Sequence, residues 1–222
     1  MRLAKVWIGI VALCMPAAAA LSAPGASAEA KRLLERAGVT GGLVVVTADD
    51  PGMACSQNEQ DSRNYAKAAG LPMLEPSDSQ EAYEFTRLGL ELSERFALPV
   101  LLRLTTRICH SKTIVTRREP DPEPATPHFE RDVKARVMVP AFARPAHVRL
   151  RAKLEKVAAW NEAEGPNRLI EGDNSLGVVT NGISYQHARE AAPDASLFKV
   201  GMCSPLPIET IRRFAAGVDR CV

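Results

Sequence analysis

The stretch 42–63, GLVVVTADDPGMACSQNEQDSR, constrains the fold of this chain more than any other. Leu43 to Val46 is an unbroken apolar run that reads as a buried strand. It leads into Asp49-Asp50-Pro51-Gly52, and a dense polar tract follows from Ser56 to Arg63. A buried strand that ends in a turn and then releases charged and amide groups is how α/β proteins build sites. Ligands sit beyond the carboxyl ends of such strands.

The remaining signals set the context. The 222 residues suffice for one large domain or two small ones. With 46% hydrophobic and 24% charged residues the composition is that of an ordinary globular protein. A net charge of +2 gives no case for nucleic-acid binding. The cysteines at 14, 55, 109, 203 and 221 show no C-x-x-C spacing, which argues against a zinc site or a thioredoxin-like motif. Their odd number and scatter fit free thiols in a reducing compartment. No two of His110, His128, His147 and His187 stand four apart, so a helical metal pair is excluded.

Residues 1–28 read as a leader. Arg2 and Lys5 precede the apolar run Val6 to Met15, and Ala26-Ser27-Ala28 fits a small-x-small cleavage pattern. The alternative is a misread start. The run is too short and interrupted for a membrane span. Residues 29–37 form a short helix closed by Gly38, and the strand of 43–47 follows. Tyr65 to Ala69 is helical, with Gly70 at its end. Pro72 to Pro76 is an edge strand held between prolines. Asp78 with Glu81 resembles a capping box that opens a helix over 79–96. Ala82, Phe85, Leu88, Leu92 and Phe96 share its apolar face, while Glu81, Glu84, Arg87, Glu91 and Arg95 lie largely off it.

Pro99 introduces a strand over Val100 to Leu104. The tract 117–127, with four prolines, reads as a linker between two lobes. Residues 129–145 follow the surface, and 146–163 form a second amphipathic helix whose basic residues make a solvated face. From residue 174 the rhythm returns to α/β. Leu176 to Val179 is a strand, Thr180-Asn181-Gly182 a turn, Ile183 to Ala191 a helix and Leu197 to Val200 a strand. A helix follows from Leu206-Pro207 to Ala216, and a strand begins at Asp219. This order implies parallel pairing with right-handed crossovers.

The candidate chemistry sits in the opening stretch. Asp49 and Asp50 can orient a ligand or a divalent ion, or simply make a tight Asp-Pro-Gly turn. Ser56, Gln57, Asn58, Glu59 and Gln60 offer donors and acceptors at a helix start, a position that favours anions such as phosphate. Thr180-Asn181-Gly182 is a second strand-end turn that can meet phosphate. It lacks G-x-G-x-x-G, and no phosphate loop occurs in the sequence. Cys55 has no sequence-near His, and adjacency of Cys109 and His110 does not place their side chains together.

Four separated motifs carry a resemblance. They are Gly42 through Asp61, MLEPSDSQEAYEFT (73–86), LLRLTTRICHSK (101–112), and GVVTNGISYQHAREAAPDAS with KVGMCSPLP (177–207). In order and in one register from about Val39 to Val222, they resemble the alpha subunit of indolepyruvate:ferredoxin oxidoreductase. That family belongs to the thiamine-diphosphate-dependent 2-oxoacid:ferredoxin oxidoreductases.

The resemblance implies an α/β fold in pieces. Residues 29–112 would be part of a pyrimidine-binding domain, 113–173 a Pro-rich linker and helix, and 174–222 the start of a Rossmann-like domain similar to the transketolase C-terminal domain. It implies oxidative decarboxylation of aryl pyruvates to aryl-acetyl-CoA, with electrons passing through iron–sulfur clusters to ferredoxin. It implies a beta-subunit partner and a cytoplasmic location. The cofactor pocket would be lined by Ser56, Gln57, Asn58, Glu59 and Gln60, with Asp49, Asp50, Gly52 and Arg63 holding the loop.

The departures are specific. Ala54 and Cys55 stand where the family usually shows His and Ser. The upstream half of the pyrimidine domain, with its glutamate for the aminopyrimidine, has no counterpart here. Neither do the Gly-Asp-Gly and Asn magnesium ligands or the Cys-x-x-Cys cluster motifs. The chain therefore reads as a truncated piece. Thiamine diphosphate, Mg2+ and iron–sulfur clusters belong to the intact family enzyme, and none is expected to bind firmly here. The competing expectation is a non-catalytic exported α/β binding protein, with residues 1–28 as a true signal.

Overall fold

The computed structural model describes residues 42–118 and 131–222, together with a two-residue strand at Val11–Ala12. The first sheet contains β1 (Val11–Ala12), β2 (Val44–Asp49), β3 (Met73–Leu74), β4 (Val100–Thr105) and β8 (Met202–Ser204). Its order is β1-β2-β4-β3-β8. The first four strands are parallel, and β8 runs antiparallel to β3. The second sheet has the order β5-β7-β6, from Arg168–Ile170, Ala195–Val200 and Asp173–Asn181.

The register of β2 on β4 runs from Val44↔Val100 to Asp49↔Thr105. Alternation along these strands sends Val44, Val100 and Leu102 to one face, and Val45 and Leu101 to the other. The first face is covered by α2 (Ser79–Phe96) and α5 (Pro140–Glu164), which contribute Phe85, Leu92, Val157 and Trp160 to the main core. A Cβ on Gly89 of α2 would lie 2.9 Å from Val44 Cγ2, so the helix rests directly on the strand. The second face is covered by α1 (Ser62–Ala69), through Ala66 against Met73 and Leu101.

In the second sheet, β6 and β7 are parallel around α6 (Ser184–Ala191), as the strand–helix–strand pattern requires. Tyr185 of α6 packs with Leu197. Helix α7 (Ile208–Ala216) follows β8. Cys221 then bridges Gly177 in parallel, where the sequence begins its last strand.

Several expectations need correction. Pro72 to Pro76 is not an edge strand, because β8 covers the outer side of β3 and both prolines are buried. The second long helix begins at Pro140 rather than 146. Proline at its first position is compatible with helix geometry, and Pro145 lies inside the helix. A one-turn helix, α4 (Val133–Arg136), precedes it. Strand β5 escapes notice because it is three residues long and mostly exposed. The leader 1–28 apart from Val11–Ala12, the helix of 29–37 and the linker beyond residue 118 lie outside the described residues.

Candidate functional site

The polar loop leaves β2 at its carboxyl end. The Met53 N–H donates to the Asp50 carbonyl at 3.1 Å, with Pro51 and Gly52 at the central positions. Gly52 has φ +75, the left-handed value that a type II turn demands at that place. Met53 also has a positive φ, of 55, which is uncommon for a residue with a side chain.

Both ends of the loop are clamped by buried carboxylates. Asp50 accepts the N–H groups of Cys55 and Ser56, each at 2.6 Å, and the Thr106 hydroxyl at 2.6 Å. The Thr106 bond and then the Cys55 N–H hold its carboxyl far below the usual carboxylate range. Thr106 opens the short helix α3 (Thr106–His110) after β4. At the other end, Asp49 accepts the Ser62 N–H at 2.8 Å and the Ser62 hydroxyl at 2.6 Å. Asp49 is itself paired with Arg103 of β4 at 2.5 Å.

Between the clamps, Gln57, Asn58 and Glu59 are exposed, and Ser56 and Gln60 are half-buried. Ser56 Oγ donates to the Asn58 carbonyl, and Gln60 Nε2 to Asn58 Oδ1. Arg63 is partly exposed and makes a two-point pair with Asp61, at 2.8 Å for each bond. This pair holds the Asp61 carboxyl below its ordinary value.

Two expectations about anions change here. The tract Ser56 to Gln60 is not the start of a helix: α1 begins at Ser62 with Asp61 as its cap. The free N–H groups of that helix start are met by Asp61 and Asp49, so protein carboxylates occupy the position where phosphate was expected. The turn at Thr180-Asn181-Gly182 is likewise taken. Asn181 Nδ2 donates to Glu75 Oε2 at 2.7 Å, and a Cβ on Gly182 would sit 2.4 Å from Glu75 Oε1.

Sequence reasoning missed the charged residues that tie the two sheets together. Arg103, 4% exposed, bridges Asp49 and Glu75, the latter at 2.5 Å. Glu75 in turn accepts from Asn181 and from the Cys203 thiol at 3.3 Å. Burial first, and then the Glu75 charge, push the Cys203 thiol up, so it stays protonated and donates.

A second cluster lies beside it. Lys199 of β7 is fully buried, pairs with Glu81 of α2, and stands over the rings of Phe85 and Tyr185. Glu81, expected on the outer side of the helix, is therefore inside. Its carboxylate does not reach back to Asp78 as a full capping box requires. It accepts the Ser77 N–H at 2.7 Å and the Ser77 hydroxyl at 2.8 Å. Burial opposes ionisation of Glu81, but Lys199 and Ser77 more than offset it and its pKa falls. Burial also lowers the Lys199 ammonium, only partly countered by Glu81. The usable signal was a single charge inside an apolar strand: Arg103 in VLLRLT and Lys199 in LFKV.

No family model matches the chain. The "Indolepyruvate oxidoreductase subunit IorA" of Methanothermobacter thermautotrophicus is 41% identical over 189 residues, covering 82% of this chain and 31% of the relative. The subunit of the same name from Archaeoglobus fulgidus is 39% identical over 190 residues, covering 83% and 30%. That from Thermococcus kodakarensis is 37% identical over 233 aligned positions, covering 98% and 35%. The chain thus spans about a third of the length of the curated relatives it matches. Among solved structures, a 2-oxoglutarate:ferredoxin oxidoreductase from Magnetococcus marinus superposes with a TM-score of 0.59 at 16% identity, covering 89% of this chain and 44% of that one. At that identity the likeness is one of fold. Together with the motifs that run in one register through β2, α2, β4 and β6, the relatives identify this chain as belonging to the family of indolepyruvate oxidoreductase IorA subunits.

Proposed function

We propose that the chain is part of the alpha subunit of a thiamine-diphosphate-dependent 2-oxoacid:ferredoxin oxidoreductase acting on aryl pyruvates such as indolepyruvate. Within it, residues 29–112 belong to the pyrimidine-binding domain and 174–222 begin the Rossmann-like one. A beta subunit, ferredoxin and coenzyme A are its partners in the same reading, and the cytoplasm its location. No helix among the described residues is long and apolar enough to cross a membrane. The names of the relatives favour this reading over an exported binding protein.

One observation carries the site. The side chains of Gln57, Asn58 and Glu59 are exposed in a loop at the carboxyl ends of β2 and β4, and buried Asp49 and Asp50 clamp both its ends. Such a loop holds its shape while leaving its amides and carboxylate for a ligand. The described residues do not supply the metal part of a diphosphate site. No three of their His, Cys, Asp or Glu side chains converge to hold an ion. The role of the loop is to line one wall of the pocket, with Asp49, Asp50, Gly52 and Arg63 holding it.

The test is kinetic. In the intact Methanothermobacter relative, alanine at the positions aligned with Gln57 and Asn58 should lower kcat/KM for indolepyruvate by about tenfold or more, a loss of about 1.4 kcal/mol in transition-state binding. Unchanged kinetics would remove these residues from the site.

A further inference from the structure

Residues 131–156 hold eight lysines and arginines against two acids, a local net charge of +6 in a chain whose net charge is +2. Most of this charge stands on α5. Leu150, Leu154 and Val157 turn that helix toward the core. Two basic rows flank this inward face, each at the three- and four-residue spacing that places side chains on one side of a helix. One row is Arg144, His147 and Arg151; the other is Arg149, Lys153 and Lys156. All are exposed except Lys153, which is half-buried.

What sets these cations apart is their concentration on one helix: five lysines and arginines within Arg144–Lys156, against Glu155 alone. Arg63, Arg95 and Arg212 each have a carboxylate partner. No carboxylate pairs with any of the six among the described residues. Arg151 Nε donates to His147 Nε2 at 3.3 Å, and Lys153 donates to the Ala97 carbonyl. Arg149 and Lys153 are like charges four apart, an arrangement that weakens an isolated helix. Burial and the Arg149 charge both push the Lys153 ammonium down. The helix thus carries a concentrated positive field with nothing described against it.

We infer that the outer face of α5 docks an acidic amphipathic helix of a partner protein. Charge complementarity sets the sign of that partner, because carboxylates on it would meet both rows at once. What lies between the rows sets its class. Val148, 66% exposed, and the exposed Ala152 stand on the ridge between them, with the exposed Glu155 at its far end, and an apolar patch inside a charged rim is the anatomy of a protein interface. A face for single-stranded nucleic acid would offer exposed aromatic rings for stacking, and a membrane-surface helix would carry Trp, Phe or Leu outward. Here Trp160 is turned inward and buried, and Phe142 is half-buried. This inference does not depend on the proposed catalytic reading.

The test uses the whole 222-residue chain and four probes. They are a synthetic amphipathic helix with a leucine seam flanked by glutamates, a polyglutamate peptide of equal charge, a single-stranded oligonucleotide, and phosphatidylcholine vesicles containing phosphatidylserine. The amphipathic peptide should bind at least about tenfold tighter than polyglutamate. Its binding should weaken with salt and fall at least about tenfold further in R144E/R149E/R151E. Circular dichroism checks that this variant is folded, and R144K/R149K/R151K, which keeps the charge, should bind as the wild type does. Equal binding of the two peptides overturns the proposal, as does tighter binding of the oligonucleotide or of the vesicles. Indifference to the charge reversal, or no binding of the amphipathic peptide by the wild type, overturns it too.

Discussion

The loop of residues 50–63 and the seam between the two sheets are both rich in polar groups, yet they are built in opposite ways. The loop gathers its polar residues in one run of sequence and leaves Gln57, Asn58, Glu59 and Arg63 exposed. The seam collects single charges from distant places, Arg103, Glu75, Glu81 and Lys199, and buries each of them. Exposed amides and charges keep their water and add little to stability. A buried charge must be paired and hydrogen-bonded, and its partner then becomes indispensable. The structure bears this out, since each buried seam charge has an ionic partner. The two regions meet at Asp49, which anchors the loop through Ser62 and the seam through Arg103.

The contrast makes substitutions in the two regions differ most where it is sharpest. The largest effect is expected for R103M, which leaves Asp49 and Glu75 both buried without their cation. Stability measured by urea unfolding should fall by about 5 kcal/mol, the upper end for breaking a buried pair. K199M strands only Glu81, which Arg168 still approaches at 3.5 Å, and should cost about 3 kcal/mol. The double variant E81Q/K199M should recover much of that loss, because no uncompensated carboxylate remains. If the double variant is no better than K199M, the pair is not what holds this part of the seam.

Asp50 sharpens the comparison through pH. Its folded carboxyl is held below the ordinary value of 3.8. Its contribution is therefore fully present above that value and is lost as the pH falls through the lower, folded one. Melting temperature should drop across that acid window in the wild type and less steeply in D50N. Equal acid limbs would mean that Asp50 does not clamp the loop in solution. The smallest effects belong to the loop itself. R63A removes a partly exposed pair and should cost about 0.2–1 kcal/mol. Q57A should stay within about 0.5 kcal/mol of wild type. A loss above about 2 kcal/mol at Gln57 would show that the loop is packed rather than held open.

Much of the fold was legible because local and global signals agree. The apolar run of β2, the cap at Asp78, the face of Phe85 and Leu92, and Gly70 closing α1 all stand where the pattern puts them. The loop was legible as a polar tract after a strand. What escaped was non-local. Nothing near residue 81 in sequence announces Lys199, 118 positions away, so Glu81 reads as a solvated cap residue. Nothing near Asn181 announces Glu75, 106 positions away, so the turn reads as open to phosphate. Strand β8 is three residues long and pairs across to β3, and its few residues carry no period that could mark it. A lone charge in an apolar strand shows from sequence that a partner must exist, without saying where.

The joint role of Asp49 and Arg103 rests on Glu75, which grips Arg103 on one side and Asn181 on the other. Native-state hydrogen exchange on E75Q tests it most directly, because glutamine keeps the shape and removes the charge. The expected result is faster exchange at the Ser62 amide of the loop anchor and at the amides of Val179 and Asn181 in β6, with α5 unchanged. Faster exchange on one side alone would contradict a network that joins loop and seam.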